Sequence, residues 1–296
     1  RPGGMARMGL AYEDLKRIHS RLIYCSLTGF GQDGPYREAA THDINVLGLS
    51  GILDLLAERG GRPVVPGVQF AGVGGGSQNA AIGILAALFR RERTGEGQYI
   101  DAALLDGVTP FLGLVMSAYL ATGEAPRGGE TLVGGGWAFY NVYETADHRY
   151  IALGCLEEKF WQEFCRAIDR EDLAADQYAA GPRRDEIVAE VRRIMLQKTR
   201  REWLELLSRY ETCASPVHSL EEALNDPQIR HRGLWFKACH PVDGEIGQQR
   251  FPVLFGTDRP EWRMHPPSVG EHTREILMKM GYDDNAQQDL ARRGII

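Results

Sequence analysis

With 296 residues, 43% hydrophobic and 25% charged, the chain can bury a sizeable core and form two domains, or one domain with a large insertion. Its formal net charge of −6, from 34 Lys+Arg against 40 Asp+Glu, speaks against a nucleic-acid binder. Cys25, Cys155, Cys165, Cys213 and Cys239 fall in no CxxC or other metal-ligand spacing. No metal is therefore expected, and the odd, scattered set indicates reduced thiols in a cytoplasmic protein.

No apolar stretch reaches the ~18 residues that span a membrane, and the chain opens without a signal peptide. No membrane partner is expected. Arg1-Pro2-Gly3-Gly4 reads as the middle of a loop, so a preceding segment is expected to be missing from this chain.

In chain order, residues 10–20 predict a short helix ahead of a strand at Leu22–Leu27. The turn Thr28–Pro35 follows, where glycines permit positive φ and Pro35 stops any helix. Ile44, Leu47, Leu49, Ile52 and Leu55 share one face of a helix over 42–56. A second glycine cluster, 72–76, leads into the apolar run 80–89, which predicts a buried helix with Ser77 as its N-cap and Gly95 closing it. The basic residues Arg90, Arg91 and Arg93 suit that helix's C-terminus. Tyr99–Leu105 then reads as a strand feeding another helix.

Texture changes at Gly134-Gly135-Gly136. Beyond it, residues 139–143 and 150–153 flank the turn 146–149 as a hairpin. Amphipathic helices are expected near 158–168, 184–198 and 201–209. The resulting division is 1–137 as a large α/β domain, 138–215 as a smaller α+β domain, and 216–296 as a return to the large domain.

Three places invite a functional reading. Gly72-Val73-Gly74-Gly75-Gly76 opens a helix, so its backbone N–H groups are suited to an anion or oxyanion, although close backbone packing explains such a cluster equally well. The spacing is not GxGxxG and no acid follows about twenty residues on, so a dinucleotide fingerprint fits poorly. His42 lies beside Asp43 at a helix start, and Glu157 follows a strand end, where a helix N-terminal acid is the plain structural explanation.

An ordered set of motifs resembles the family III CoA-transferases, the CaiB/BaiF type. It runs from residues 1–10 through Gly29-Phe30-Gly31-Gln32, His42-Asp43-Ile44-Asn45 and 81–88 to 93–98 and Leu105-Asp106-Gly107. It continues in 221–228 and Gly270-Glu271-His272-Thr273. The resemblance implies a Rossmann-like large domain, its N-terminal part absent here, with a small domain. It also implies an interlocked dimer and acyl-CoA with a carboxylic acid as substrates.

Texture is closest to the α-methylacyl-CoA racemase branch, in His42–Asn45, in 134–143 and in Leu156-Glu157. There the matching histidine is a base and the matching glutamate orients it. Arg7 lies where the family holds CoA, and Asp43, Gly74, Gly75 and Gly76 are expected to contribute to the same site. The family's aspartate, nucleophile in transferases and second acid/base in racemases, falls at Gly72, which has no side chain for either task.

The expected function is a family III CoA-transferase, either homodimeric or completed by a homologous subunit that supplies the aspartate. One alternative is a racemase-like isomerase using His42 with Glu157. The other is an acyl-CoA-binding protein without catalysis.

Overall fold

The computed structural model describes residues 1–256 and 263–296. The chain is mixed α/β, with helices and three small sheets among the described residues. Contacts divide it into two units, Arg1–Val217 and His218–Ile296.

In the first unit α1 (Tyr12–Ile18) places Glu13 and Asp14 in its first turn and Lys16 and Arg17 in its last, each favoured by the helix dipole. Strand β1 (Ile23–Thr28) pairs in parallel with β2 (Gln98–Ala103), Tyr24 opposite Tyr99. The single helix expected over 42–56 is two, α2 (Asp43–Ser50) and α3 (Ile52–Leu55). The break is Gly51, whose φ of 85° lies in the left-handed region that a side chain disfavours.

Phe70–Ser77 is a π-helix running directly into α4 (Gln78–Thr94). Ser77 is therefore inside a helix rather than capping one, with φ −63° and ψ −42°. Its hydroxyl donates back to the Gly72 carbonyl at 3.0 Å. The Asn79 side-chain amide donates to the carbonyls of Gly74 at 3.3 Å and Gly75 at 2.7 Å. These side chains satisfy carbonyls that the widened turn leaves poorly aimed.

The glycines allow this segment to press against α5 (Leu104–Val108). A Cβ at Gly75 would lie 2.6 Å from Val108 Cγ1, and one at Gly76 would lie 2.9 Å from Leu104 Cδ1. A Cβ at Gly107 would run into the Gly75 carbonyl.

Helix α4 is not buried as its composition suggests. Ala80 and Ala87 are buried, but Ile82, Leu85 and Phe89 are 63%, 65% and 65% exposed. The helix approaches β2 through Gly83, which lies against Ile100, while Ile84 and Leu88 are half-buried. Gly95 ends it with φ 76°, and Arg91 and Arg93 occupy the last turn as the dipole favours.

The expectation that no apolar stretch is long enough to span a membrane also needs correction. The helical run Leu104–Thr122 has 19 residues, and an 18-residue window within it has mean hydropathy 1.5 and is 11% buried. It comprises α5, a 3-10 turn containing Pro110, and α6 (Gly113–Thr122).

The hairpin forms as expected: β3 (Tyr140–Glu144) pairs with β4 (Tyr150–Gly154), and β4 pairs with the short β5 (Ala214–Pro216). Packed with them are α7 (Glu158–Ala167), α8 (Pro182–Met195) and α9 (Arg200–Leu207). Phe139, Tyr143, Ile151, Trp161, Phe164, Val191 and Met195 are buried in one core. Its polar tips are satisfied: Trp161 Nε1 donates to the Leu173 carbonyl at 3.1 Å, and Tyr143 Oη to that of Ala138 at 2.7 Å. Burial pushes the Tyr143 phenol well above its ordinary range. A smaller cluster of Val46, Leu47, Ala71 and Val108 ties α2, the π-helix and α5 together. That cluster positions the site.

The second unit begins with two short capped helices. Ser219 and Glu222 form a capping box on α10 (Leu220–Asn225), and Asp226 caps α11 (Pro227–Arg232). An antiparallel hairpin, β6 (Trp235–His240) with β7 (Gly244–Gln249), and helices α12 (Thr273–Lys279) and α13 (Asp284–Arg292) complete it.

Candidate active site

His42 occupies the position just before α2, with extended φ −126° and ψ 178°. Its backbone N–H donates to Asn45 Oδ1 at 3.0 Å, which fixes the start of the helix. The imidazole is left exposed rather than spent on packing. Asp43, the first helical residue, sends its carboxylate across to the π-helix, where Oδ1 accepts the Gly72 N–H at 2.7 Å.

His42 stands between two cavities. One, of about 410 Å³, is lined by Arg1, Phe30, Arg37, Thr41, His42 and Leu104, among others. The other, of about 490 Å³, takes in Thr41, His42, Asp43, Gln69, Gly72 and Leu104, with Val65, Pro66 and Val68 on its apolar side. Of the residues singled out from the sequence, the structure thus brings together His42, Asp43 and Gly72.

Gly72 has an ordinary backbone, without positive φ. A Cβ there would sit 3.6 Å from Asp43 Oδ1 and 3.8 Å from the Gln69 Cβ, in normal contact. Nothing in the local conformation demands glycine at this position.

Gly75 and Gly76 are buried against α5, as described, and Gly74 lies against the Phe111 ring. Their demonstrable task is close packing. The first N–H groups of the cluster are engaged, Gly72 with Asp43 and Val73 with the Gln69 carbonyl at 3.3 Å.

Glu157 lies elsewhere within the chain. It is exposed, precedes α7, and its carbonyl accepts the N–H of Phe160 and Trp161. Gln177 and Tyr178 hold the preceding Leu156 carbonyl, at 2.8 and 2.9 Å. Its charge, after burial, helps push the Cys213 thiol above its usual value. Glu157 lines neither cavity beside His42.

Arg7 is exposed in a 3-10 turn, its guanidinium beside Gly3 and Gly4. It lines neither cavity, but the neighbouring residues Gly4, Met5 and Ala6 line a third, of about 350 Å³, with Tyr12, Tyr24 and Tyr99. Those three rings form a cluster with centroids 5.3–6.0 Å apart.

Gln69 and Leu104 were not evident from sequence. Gln69 precedes Gly72 by three residues, one turn away, and that spacing is its only signal. Among the described residues no group of three or more His, Cys, Asp or Glu is arranged to hold a metal.

Comparison with known proteins places the chain in a family. The model of CoA-transferase family III matches residues 1–273. The chain is 33% identical over 284 residues to α-methylacyl-CoA racemase of Homo sapiens, covering 95% of this chain and 73% of that protein. It is 34% identical over 284 residues to succinate–glutarate CoA-transferase of Agrobacterium fabrum (strain C58), covering 94% and 70%. The crystal structure of a CAIB/BAIF family protein from Brucella suis superposes with a TM-score of 0.77 at 30% identity, over 94% of this chain and 73% of that one. The chain belongs to CoA-transferase family III.

Proposed function

We propose that this chain binds acyl-CoA thioesters with the reacting end of the substrate in the cavity walled by His42, Asp43 and Gly72. Acyl transfer through residue 72 is closed to it. A transferase nucleophile must form a covalent bond to the acyl carbon, and Gly72 offers no atom for that. A homologous subunit carrying a carboxylate at this place would complete the transferase, with a carboxylic acid as acceptor.

The observation that carries the reading is the shared cavity. His42, Asp43 and Gly72 lie on one wall, which supports taking them as the base, its neighbouring acid and the position of the missing nucleophile. The exposed apolar face of α4 supports a second polypeptide in the working assembly. Glu157, remote from His42 within one chain, would reach a histidine in such an assembly from the second copy. Residues 138–215 act in this reading as the small domain.

Isothermal titration of the full-length chain with CoA and with several acyl-CoAs tests the proposal. Binding that tightens with the acyl group is expected, and no heat with any of them would refute it.

A second reading is favoured by the exposed imidazole of His42, which faces both cavities. It is the removal and return of the proton α to the thioester, a reaction that needs a base but no covalent attachment.

A further inference from the structure

Among the described residues, Asp43 is the one carboxylate on the cavity wall that also carries His42 and Gly72. Its placement is specific: Oδ1 is anchored 2.7 Å from the Gly72 N–H, and a side chain at residue 72 would begin 3.6 Å from that same oxygen. A carboxylate is therefore present within a few ångströms of residue 72, on the side chain of Asp43. Oδ1 is held by the amide, while Oδ2 has no hydrogen-bond partner among the described residues.

We infer that Asp43 serves as the second acid/base of this cavity, working with His42 on the carbon α to a bound thioester. The inference rests on the acyl-CoA reading above. Asp43 accepts the α-proton as the C–H bond breaks, and the bonding pair moves into the enolate, with its charge on the former thioester oxygen. His42, as imidazolium, returns a proton to the α-carbon. Solvent then removes the proton from Asp43 and reprotonates His42, so atoms, electrons and charge balance without an oxidant or metal. The anchor to Gly72 gives the carboxylate a fixed direction, which a base at an exposed helix start would otherwise lack. Leu104 and Val68 on the same wall provide apolar surface for the acyl portion.

The test is α-deuterium incorporation into a 2-methylacyl-CoA in D2O, read by mass spectrometry, with calorimetric binding of the same thioester in parallel. Wild type should bind and exchange. Asp43→Asn keeps an oxygen to accept the Gly72 N–H, so it should bind within a few-fold of wild type. Its exchange should fall by roughly 100-fold or more, the usual contribution of a positioned acid/base group. The double variant Asp43→Asn/Gly72→Asp returns a carboxylate to the same cavity and should regain exchange.

Exchange in Asp43→Asn equal to wild type would overturn the assignment and leave Asp43 as an anchor for the π-helix alone. Wild type that binds without exchanging would also overturn it, with the binding proposal intact. Absence of binding would instead remove the acyl-CoA reading on which it stands.

Discussion

The carboxylate of Asp43 accepts the backbone N–H of Gly72 at 2.7 Å, across 29 positions of sequence. It joins the first residue of α2 to the third residue of the π-helix, so His42 and Gly72 are held in one frame. The apolar cluster of Val46, Leu47, Ala71 and Val108 lies beneath the same two elements and keeps them from sliding apart. Rigid support of this kind is what a reacting centre requires.

Gly72→Asp should fold normally. The position has no left-handed strain, and its Cβ would find ordinary contacts at 3.6 and 3.8 Å. Incubated with acyl-CoA and analysed by mass spectrometry, the variant should carry a covalent CoA thioester at residue 72, and wild type should carry none. An adduct on another wild-type residue would mean that the nucleophile lies elsewhere.

Gly107→Ala should behave differently from Gly72→Ala. A methyl at residue 107 meets the Gly75 carbonyl, so overpacking should cost about 1–3 kcal/mol or more. Denaturant unfolding should show that loss for Gly107→Ala and almost none for Gly72→Ala. Equal stability of both variants would contradict the packing account of the glycine cluster.

His42→Ala removes an exposed side chain and leaves in place the backbone N–H that bonds Asn45 Oδ1 at the helix start. Thermal stability should change little. Exchange of the α-deuteron should drop by ~10²–10⁴, the range of general acid–base catalysis. Unchanged exchange would exclude the proton-transfer reading.

Alkali should weaken the core built around Trp161. The thiols of Cys155 and Cys165 are both pushed up, from 9.0 to about 12, chiefly by burial. A raised folded-state value means that the native form holds its proton where the unfolded form has lost it. The corresponding stability is complete below pH 9 and is lost progressively as pH rises from 9 to 12. Denaturant titrations from pH 8 to 11 should show this decline. The double variant Cys155→Ala/Cys165→Ala should show a shallower one, from a lower starting stability.

Much of the fold was legible because local chemistry determined it. The hairpin of β3 and β4 follows from alternating residues about a polar turn, and α7, α8 and α9 carry clear apolar faces that the Trp161 core confirms. Gly51 divided a continuous apolar periodicity because its φ, not its side-chain pattern, decided the outcome. The exposure of Ile82, Leu85 and Phe89 was hidden from composition, which reports that a residue is apolar but not what covers it.

At the site, family resemblance singled out His42 and Gly72, and the structure sets both on one cavity wall. The π-helix and the Asp43–Gly72 bond were not legible in the sequence, since both depend on tertiary packing across distant segments. Pairing His42 with Glu157 followed from the resemblance, whereas within one chain they line different surfaces.

Amide hydrogen exchange with and without a saturating acyl-CoA tests the central claim most directly, because it locates the ligand without requiring turnover. The account predicts slower exchange at residues 42–45 and 69–73, where the thioester end lies against His42, Asp43 and Gly72. Tight binding that protects only segments remote from both would contradict it.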